Sequence, residues 1–162
     1  MNTIEGAFEA RGRRFAIVAA RFNEIVVSNL VDGALACLRK HGVSEDDLDL
    51  VWVPGAFEMP LTAKRLAGSG AYDAVICLGA VVRGETAHFD FVAGEAARGI
   101  QQAAIETAVP VMFGVLTTET FEQALDRAGG KHGNKGWDAA MAAMEMASLL
   151  DELPKSEGAR GE

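Results

Sequence analysis

Long apolar runs are absent from this chain of 162 residues. No stretch approaches the roughly 20 residues needed to span a bilayer. Met1-Asn2-Thr3-Ile4-Glu5-Gly6 lacks the basic start and apolar core of an export leader, so a soluble, cytoplasmic protein is expected. Cysteine is nearly absent too. Cys37 and Cys77 have no metal spacing, which excludes a disulfide framework or a zinc site and fits a reducing compartment. Positive charge is in deficit, with 15 Lys and Arg against 23 Asp and Glu and a net charge of -8. Without a basic block, binding to nucleic acid or anionic lipid has no electrostatic support. Any anionic ligand must be met locally. Aromatic residues are only 7% of the chain, while Ala is abundant and Gly numbers 18, so the helices are expected to be thin and tightly packed.

What is present is a repeated alternation. Phe15-Ala16-Ile17-Val18-Ala19-Ala20 is a continuous apolar run, as a parallel strand covered on both faces requires. Helical spacing follows through Ile25, Leu30, Ala34, Cys37 and Leu38, stopping at His41-Gly42. The cycle recurs with Leu48 to Val53 and a helix from about Phe57 to Leu66, in which Pro60 is tolerable because it lies in the first turn. It recurs again with Ala74 to Leu78 and a helix from about Thr86 to Thr107, then with Pro110 to Leu116 and Thr120 to Ala128. A loop over Gly129 to Gly136 leads to a last helix carrying Trp137, Met141 and Met144. The expected fold is a three-layer α/β/α sandwich around a flavodoxin-like four-stranded parallel sheet. Residues 1–153 read as one domain, with 1–12 an N-terminal arm whose strand pairs with another chain's sheet edge, and 154–162 as a flexible tail.

A parallel sheet gathers its strand C-termini on one edge, where α/β proteins place their chemistry. That edge collects Arg21-Phe22-Asn23, Pro54-Gly55-Ala56-Phe57-Glu58, Gly79 to Asp90, and Thr117-Thr118-Glu119. The Gly79–Asp90 stretch is the most informative. It hands a strand over to a helix whose first amides lack partners, so backbone alone can hold a phosphate, with Thr86 a candidate N-cap. His88, in the first turn, is a candidate for moving a proton near neutral pH. An anion seat beside a proton-transfer residue is the expectation.

Taken together, Ala20-Arg21-Phe22-Asn23, Pro54 to Pro60, Gly79 to Asp90, Gly114-Val115-Leu116-Thr117-Thr118 and Gly133-Asn134-Lys135-Gly136-Trp137 resemble the lumazine synthase family. The resemblance spans Phe15 to Leu149. It implies a transferase of riboflavin biosynthesis that condenses 5-amino-6-(D-ribitylamino)uracil with 3,4-dihydroxy-2-butanone 4-phosphate, releasing phosphate and water without metal or redox cofactor. By the same resemblance Phe22 stacks on the pyrimidine and Ala56, Phe57 and Glu58 hold it and the ribityl chain. Ala80, Val81 and Val82 read it through main-chain groups, and Phe113 closes over it from the adjacent subunit of a pentamer. The amides of Glu85 and Thr86 bind the phosphate, with Arg127 and Lys135 as cationic partners. His88 moves the protons. The loop before the last helix carries no insertion, which resembles the members that build 60-subunit icosahedral shells; riboflavin synthase is the cargo such a shell could enclose.

Alone, these residues have plainer readings. Phe22 passes for a hydrophobic plug, Phe113 for core, Arg127 for a cation near a helix end, and His88 for a structural histidine. Two other functions compete. A flavin-binding electron carrier shares the layout, but the first strand here lacks the hydroxyl- and glycine-rich loop such carriers use. A low-activity lumazine- or flavin-binding shell protein would keep fold and interface without turnover.

Overall fold

The computed structural model describes residues 1–155, and the tail expected at 154–162 lies, from residue 156 on, outside them. Strands Phe15–Ala20 (β1), Leu48–Val53 (β2), Ala74–Val82 (β3) and Val111–Thr118 (β4) form one sheet in the order β2-β1-β3-β4. Every pairing is parallel. The whole of β1 is buried, as its uninterrupted apolar run requires. Phe15, Ile17 and Ala19 join one core with helices Glu24–Lys40 (α1) and Lys135–Glu152 (α5). Ala16, Val18 and Ala20 join a second core with Met59–Ala67 (α2) and His88–Thr107 (α3). The alternation of strand side chains thus sends one sequence into two cores, giving three layers.

Small residues set the spacing of those layers. Ala34 on α1 and Ala140 and Ala143 on α5 are fully buried, so the two helices approach closely. Fully buried Ile17, Leu30, Ile76, Leu78 and Met144 supply the larger hydrophobic contributions, about 1.5–3 kcal/mol each. Among the described residues no helix is long and apolar enough to cross a membrane.

Several boundaries differ from the sequence reading. β3 runs four residues past Leu78 to Val82, and β4 continues through Thr118, because the two pair with each other to the last residue. A 3₁₀ turn over Ala56–Glu58 precedes α2. α3 begins at His88, with Ala87 and not Thr86 at its N-cap; the Thr86 hydroxyl accepts only a long bond, 3.4 Å, from the His88 amide. A short helix, Phe121–Asp126 (α4), starts at Thr120, whose hydroxyl accepts from the Gln123 amide in a capping box. The expected loop after it holds a small antiparallel hairpin, Ala128–Gly130 (β5) and Gly133–Asn134 (β6). Gly133, at φ 77°, supplies a left-handed turn that few other residues could take. Ahead of β1, the arm lies on α5, where the Ala7 amide donates to Ser148 Oγ at 3.0 Å; among the described residues it has no strand partner within the chain.

Candidate active site

In this strand order β1 sends the chain outward to β2 and β3 returns on its other side, so a crevice opens beyond Ala20 and Gly79. The crevice exists because β3 outruns β1. From Gly79 to Val82, β3 pairs only with β4, through Gly79–Val115, Ala80–Leu116, Val81–Thr117 and Val82–Thr118. Its other edge is free. The Ala80 carbonyl points to that edge, where it accepts from Asn23 Nδ2 at 2.9 Å. The Arg83 amide points the opposite way and donates to the Thr118 carbonyl at 2.8 Å. Alternation along the strand therefore turns the peptide groups of Val82 to the free edge and those of Val81 toward β4.

Beside this edge lies a cavity of about 600 Å³. Nine of the residues named from the sequence line it: Phe22, Ala56, Phe57, Glu58, Ala80, Val81, Val82, Thr86 and His88. They arrive from three strand ends, those of β1, β2 and β3. Phe22 follows β1, and its amide donates to the Pro54 carbonyl at 3.0 Å, so the β1 and β2 ends are tied together. Ala56 to Glu58 form the 3₁₀ turn after β2, and His88 is the first residue of α3. Phe22 and Phe57 are 71% and 59% exposed, an unusual state for two large rings flanking one cavity. Such rings offer flat apolar faces to a planar ligand.

Gly84, Phe89, Phe91 and Val92 also line the cavity and were not singled out beforehand. Phe89 and Phe91 read from sequence as the start of a helix, and only exposure shows that Phe91, at 70%, is not core. Glu85 does not line this cavity, and what it shares with Thr86 is a backbone amide without a partner. Among the described residues neither amide has an acceptor, and both lie just ahead of the N-terminus of the 20-residue α3. Free donors ahead of a helix dipole attract an anion.

Phe113, Arg127 and Lys135 stand elsewhere. They line a separate cavity of about 420 Å³ on the β4 side, together with Thr117, His132 and Asp138, and it shares no residue with the first. Phe113 is 39% exposed on the sheet's edge strand and so is not core. Arg127, at the C-cap of α4, donates from its guanidinium to the Gln123 carbonyl at 3.0 Å. Lys135 opens α5, its amide bonded to the Arg127 carbonyl at 2.8 Å. The Asn134 side chain, accepting from the Gly136 and Trp137 amides, fixes that helix start. One cavity therefore offers aromatic faces, a carboxylate, an imidazole and the free amide of Thr86; the other offers two cations, an imidazole, a carboxylate and an aromatic ring. Among the described residues no group of three or more His, Cys, Asp or Glu could hold a metal ion.

Comparison with known proteins gives a consistent outcome. A family model described as 6,7-dimethyl-8-ribityllumazine synthase matches residues 12–151. Two relatives from Clostridium kluyveri, each named 6,7-dimethyl-8-ribityllumazine synthase, are 56% identical to the chain over 153 residues. The match covers 94% of this chain and 99% of each relative.

Proposed function

The chain belongs to the 6,7-dimethyl-8-ribityllumazine synthase family, and from that premise we propose how its residues divide the reaction between them. The enzyme is a transferase of riboflavin biosynthesis. It condenses 5-amino-6-(D-ribitylamino)uracil with 3,4-dihydroxy-2-butanone 4-phosphate and releases phosphate and water; the reading as a low-activity shell protein is not favoured.

In the proposed arrangement the pyrimidine enters the larger cavity and stacks on Phe22. Main-chain groups of Ala80 and Val82 read its edge from the free side of β3, with Val81 forming the wall. The turn Ala56-Phe57-Glu58 holds the ribityl chain, the Glu58 carboxylate accepting from its hydroxyls. The butanone phosphate sits on the Glu85 and Thr86 amides ahead of α3. His88, adjoining that seat, moves the protons. Imine formation expels one water from the carbinolamine, elimination takes a proton from carbon as phosphate leaves and unmasks a new carbonyl, and the second nitrogen adds to that carbonyl carbon and closes the ring as a second water leaves. Most of the acceleration comes from holding the two substrates together, which is worth several kcal/mol, and the proton transfer adds roughly 10²- to 10⁴-fold.

The observation that carries the rest is the separation of the two cavities. Phe113, Arg127 and Lys135 complete the site only if a second copy presents them: Phe113 over the pyrimidine, Arg127 as a two-pronged phosphate partner, Lys135 as added charge. We therefore propose sites between adjacent subunits of a pentamer, with twelve pentamers in a 60-subunit shell that could enclose riboflavin synthase. Residues 1–153 act as one domain in this reading, and the arm pairs with a neighbour's sheet edge. A particle of pentamer mass in light scattering removes the shell. The activity itself is tested by mixing both substrates with the protein and following phosphate release and lumazine absorbance above the spontaneous rate. Matched, saturable appearance of both is expected; binding of the ribitylaminouracil without turnover would sink the catalytic assignment.

A further inference from the structure

Arg83 follows the free edge of β3, precedes the two free amides, and lines neither cavity. Its guanidinium lies 2.9 Å from one Glu119 oxygen and 3.1 Å from the other, and 3.4 Å from Asp90 Oδ1. It also stands over the Phe89 ring, 4.4 Å from its centroid. With its amide on the Thr118 carbonyl, this one residue ties the β3–α3 connection to the end of β4 and to the first turn of α3. Glu119 is itself held, since its amide donates to Gln123 Oε1 at 2.9 Å within the capping box of α4.

The connection has few other ties. A side chain at Gly84 would meet open space, and the long bond from the His88 amide to the Thr86 hydroxyl is the remaining side-chain hydrogen bond there among the described residues. Exposed ion pairs add little to global stability, but a planar guanidinium gripping two carboxylates and a ring fixes direction. We propose that Arg83 is a positioning residue, which pins this connection to Glu119 and Asp90 and so aims the Glu85 and Thr86 amides and His88 at the butanone phosphate. The proposal rests on the reading that those amides seat the phosphate.

The test compares Arg83→Ala, Arg83→Lys and Glu119→Ala in the whole chain, measuring KM for each substrate and inhibition by inorganic phosphate. Arg83→Ala is expected to raise KM for the butanone phosphate, and weaken phosphate inhibition, about three- to tenfold, with the ribitylaminouracil KM moved less than about twofold. Arg83→Lys recovers only part, because an ammonium cannot grip both carboxylates. Glu119→Ala shifts phosphate affinity the same way, and the double variant is no worse than Arg83→Ala. Tighter phosphate in Glu119→Ala would mean that a freed Arg83 is itself a ligand, and overturns the positioning role. Equal rises in both KM values mean general damage and overturn it too. Thr86→Pro removes one amide of the seat and separates the two ideas. If phosphate affinity is unchanged there, the seat is wrong; if it falls there but not in Arg83→Ala, only the role of Arg83 is wrong.

Discussion

Asn23 holds the Ala80 carbonyl through its side-chain amide at 2.9 Å, while its own backbone sits in the left-handed region at φ 60°. One bond thus fastens the start of α1 to the part of β3 that β1 no longer reaches. Asparagine suits this position, because it tolerates the left-handed region better than most residues and still carries a donor. Asn23→Ala is expected to cost about 1–2 kcal/mol, from the lost bond and the left-handed backbone together. Asn23→Gly relieves the backbone but not the bond and should cost less. Equal unfolding midpoints for the two variants would remove backbone strain from this account.

Gly136, in the first turn of α5, packs directly against the backbone of α1. A Cβ there would lie 2.0 Å from the Leu30 carbonyl oxygen, so one helix must move. Gly136→Ala should destabilise by about 1–3 kcal/mol despite the better helix propensity of alanine. Denaturant unfolding measures it, and a stabilised variant would show that the helices slide apart freely.

Burial raises the Cys77 thiol to about 12, and burial with Asp138 raises Cys37 to about 11. Both exceed the ordinary thiol value of about 8.5, so the folded protein keeps protons that the unfolded chain loses above that pH. Their contribution to stability is complete below about pH 8.5 and declines as pH rises toward the folded values. The denaturant midpoint should therefore fall less between pH 8 and pH 10.5 in Cys37→Ala/Cys77→Ala than in the parent. In the parent, alkylation at pH 8 should wait for unfolding.

How much of this was legible beforehand depended on what each residue's neighbours in sequence could reveal. The run Phe15 to Ala20 announced a doubly covered strand because every side chain on both faces is apolar. The strand extension to Val82 was not visible, since it arises from pairing with β4, a partner 36 residues away in sequence. The hairpin at Ala128–Asn134 was hidden for the opposite reason: glycine-rich strands of two or three residues carry no alternation to read. Thr86 looked like a cap because hydroxyl before helix is the usual pattern, but α3 begins at His88 with Ala87 as its N-cap. In the site, the strand-end motifs placed nine residues around one cavity. The grouping of Phe113, Arg127 and Lys135 in a second cavity is a tertiary fact, and Arg83 was passed over because its two acidic partners lie 7 and 36 residues away.

His88→Ala should slow turnover by roughly 10²- to 10⁴-fold and leave a measurable rate above background, because proximity survives the loss of the imidazole. KM for both substrates should change little. Single-turnover measurement with both substrates bound checks this; a complete loss of rate would assign the ring more than proton transfer.

A site shared between subunits makes a further demand that a site within one chain does not. His88 lines one cavity and Arg127 the other. If each working site takes His88 from one subunit and Arg127 from its neighbour, two crippled variants can repair each other. Co-expressed in equal amounts, His88→Ala and Arg127→Ala subunits mix at random around a ring. A site then draws both native residues when its His88 side comes from an Arg127→Ala subunit and its Arg127 side from a His88→Ala subunit, which happens at about one site in four. The mixed assembly should therefore recover about a quarter of parental activity, although each variant alone stays far below that. Separately purified variants, mixed without subunit exchange, should recover nothing. Activity in the co-expressed protein no higher than the mean of the two variants would place both residues in the same subunit's site and dissolve the case for a shared one.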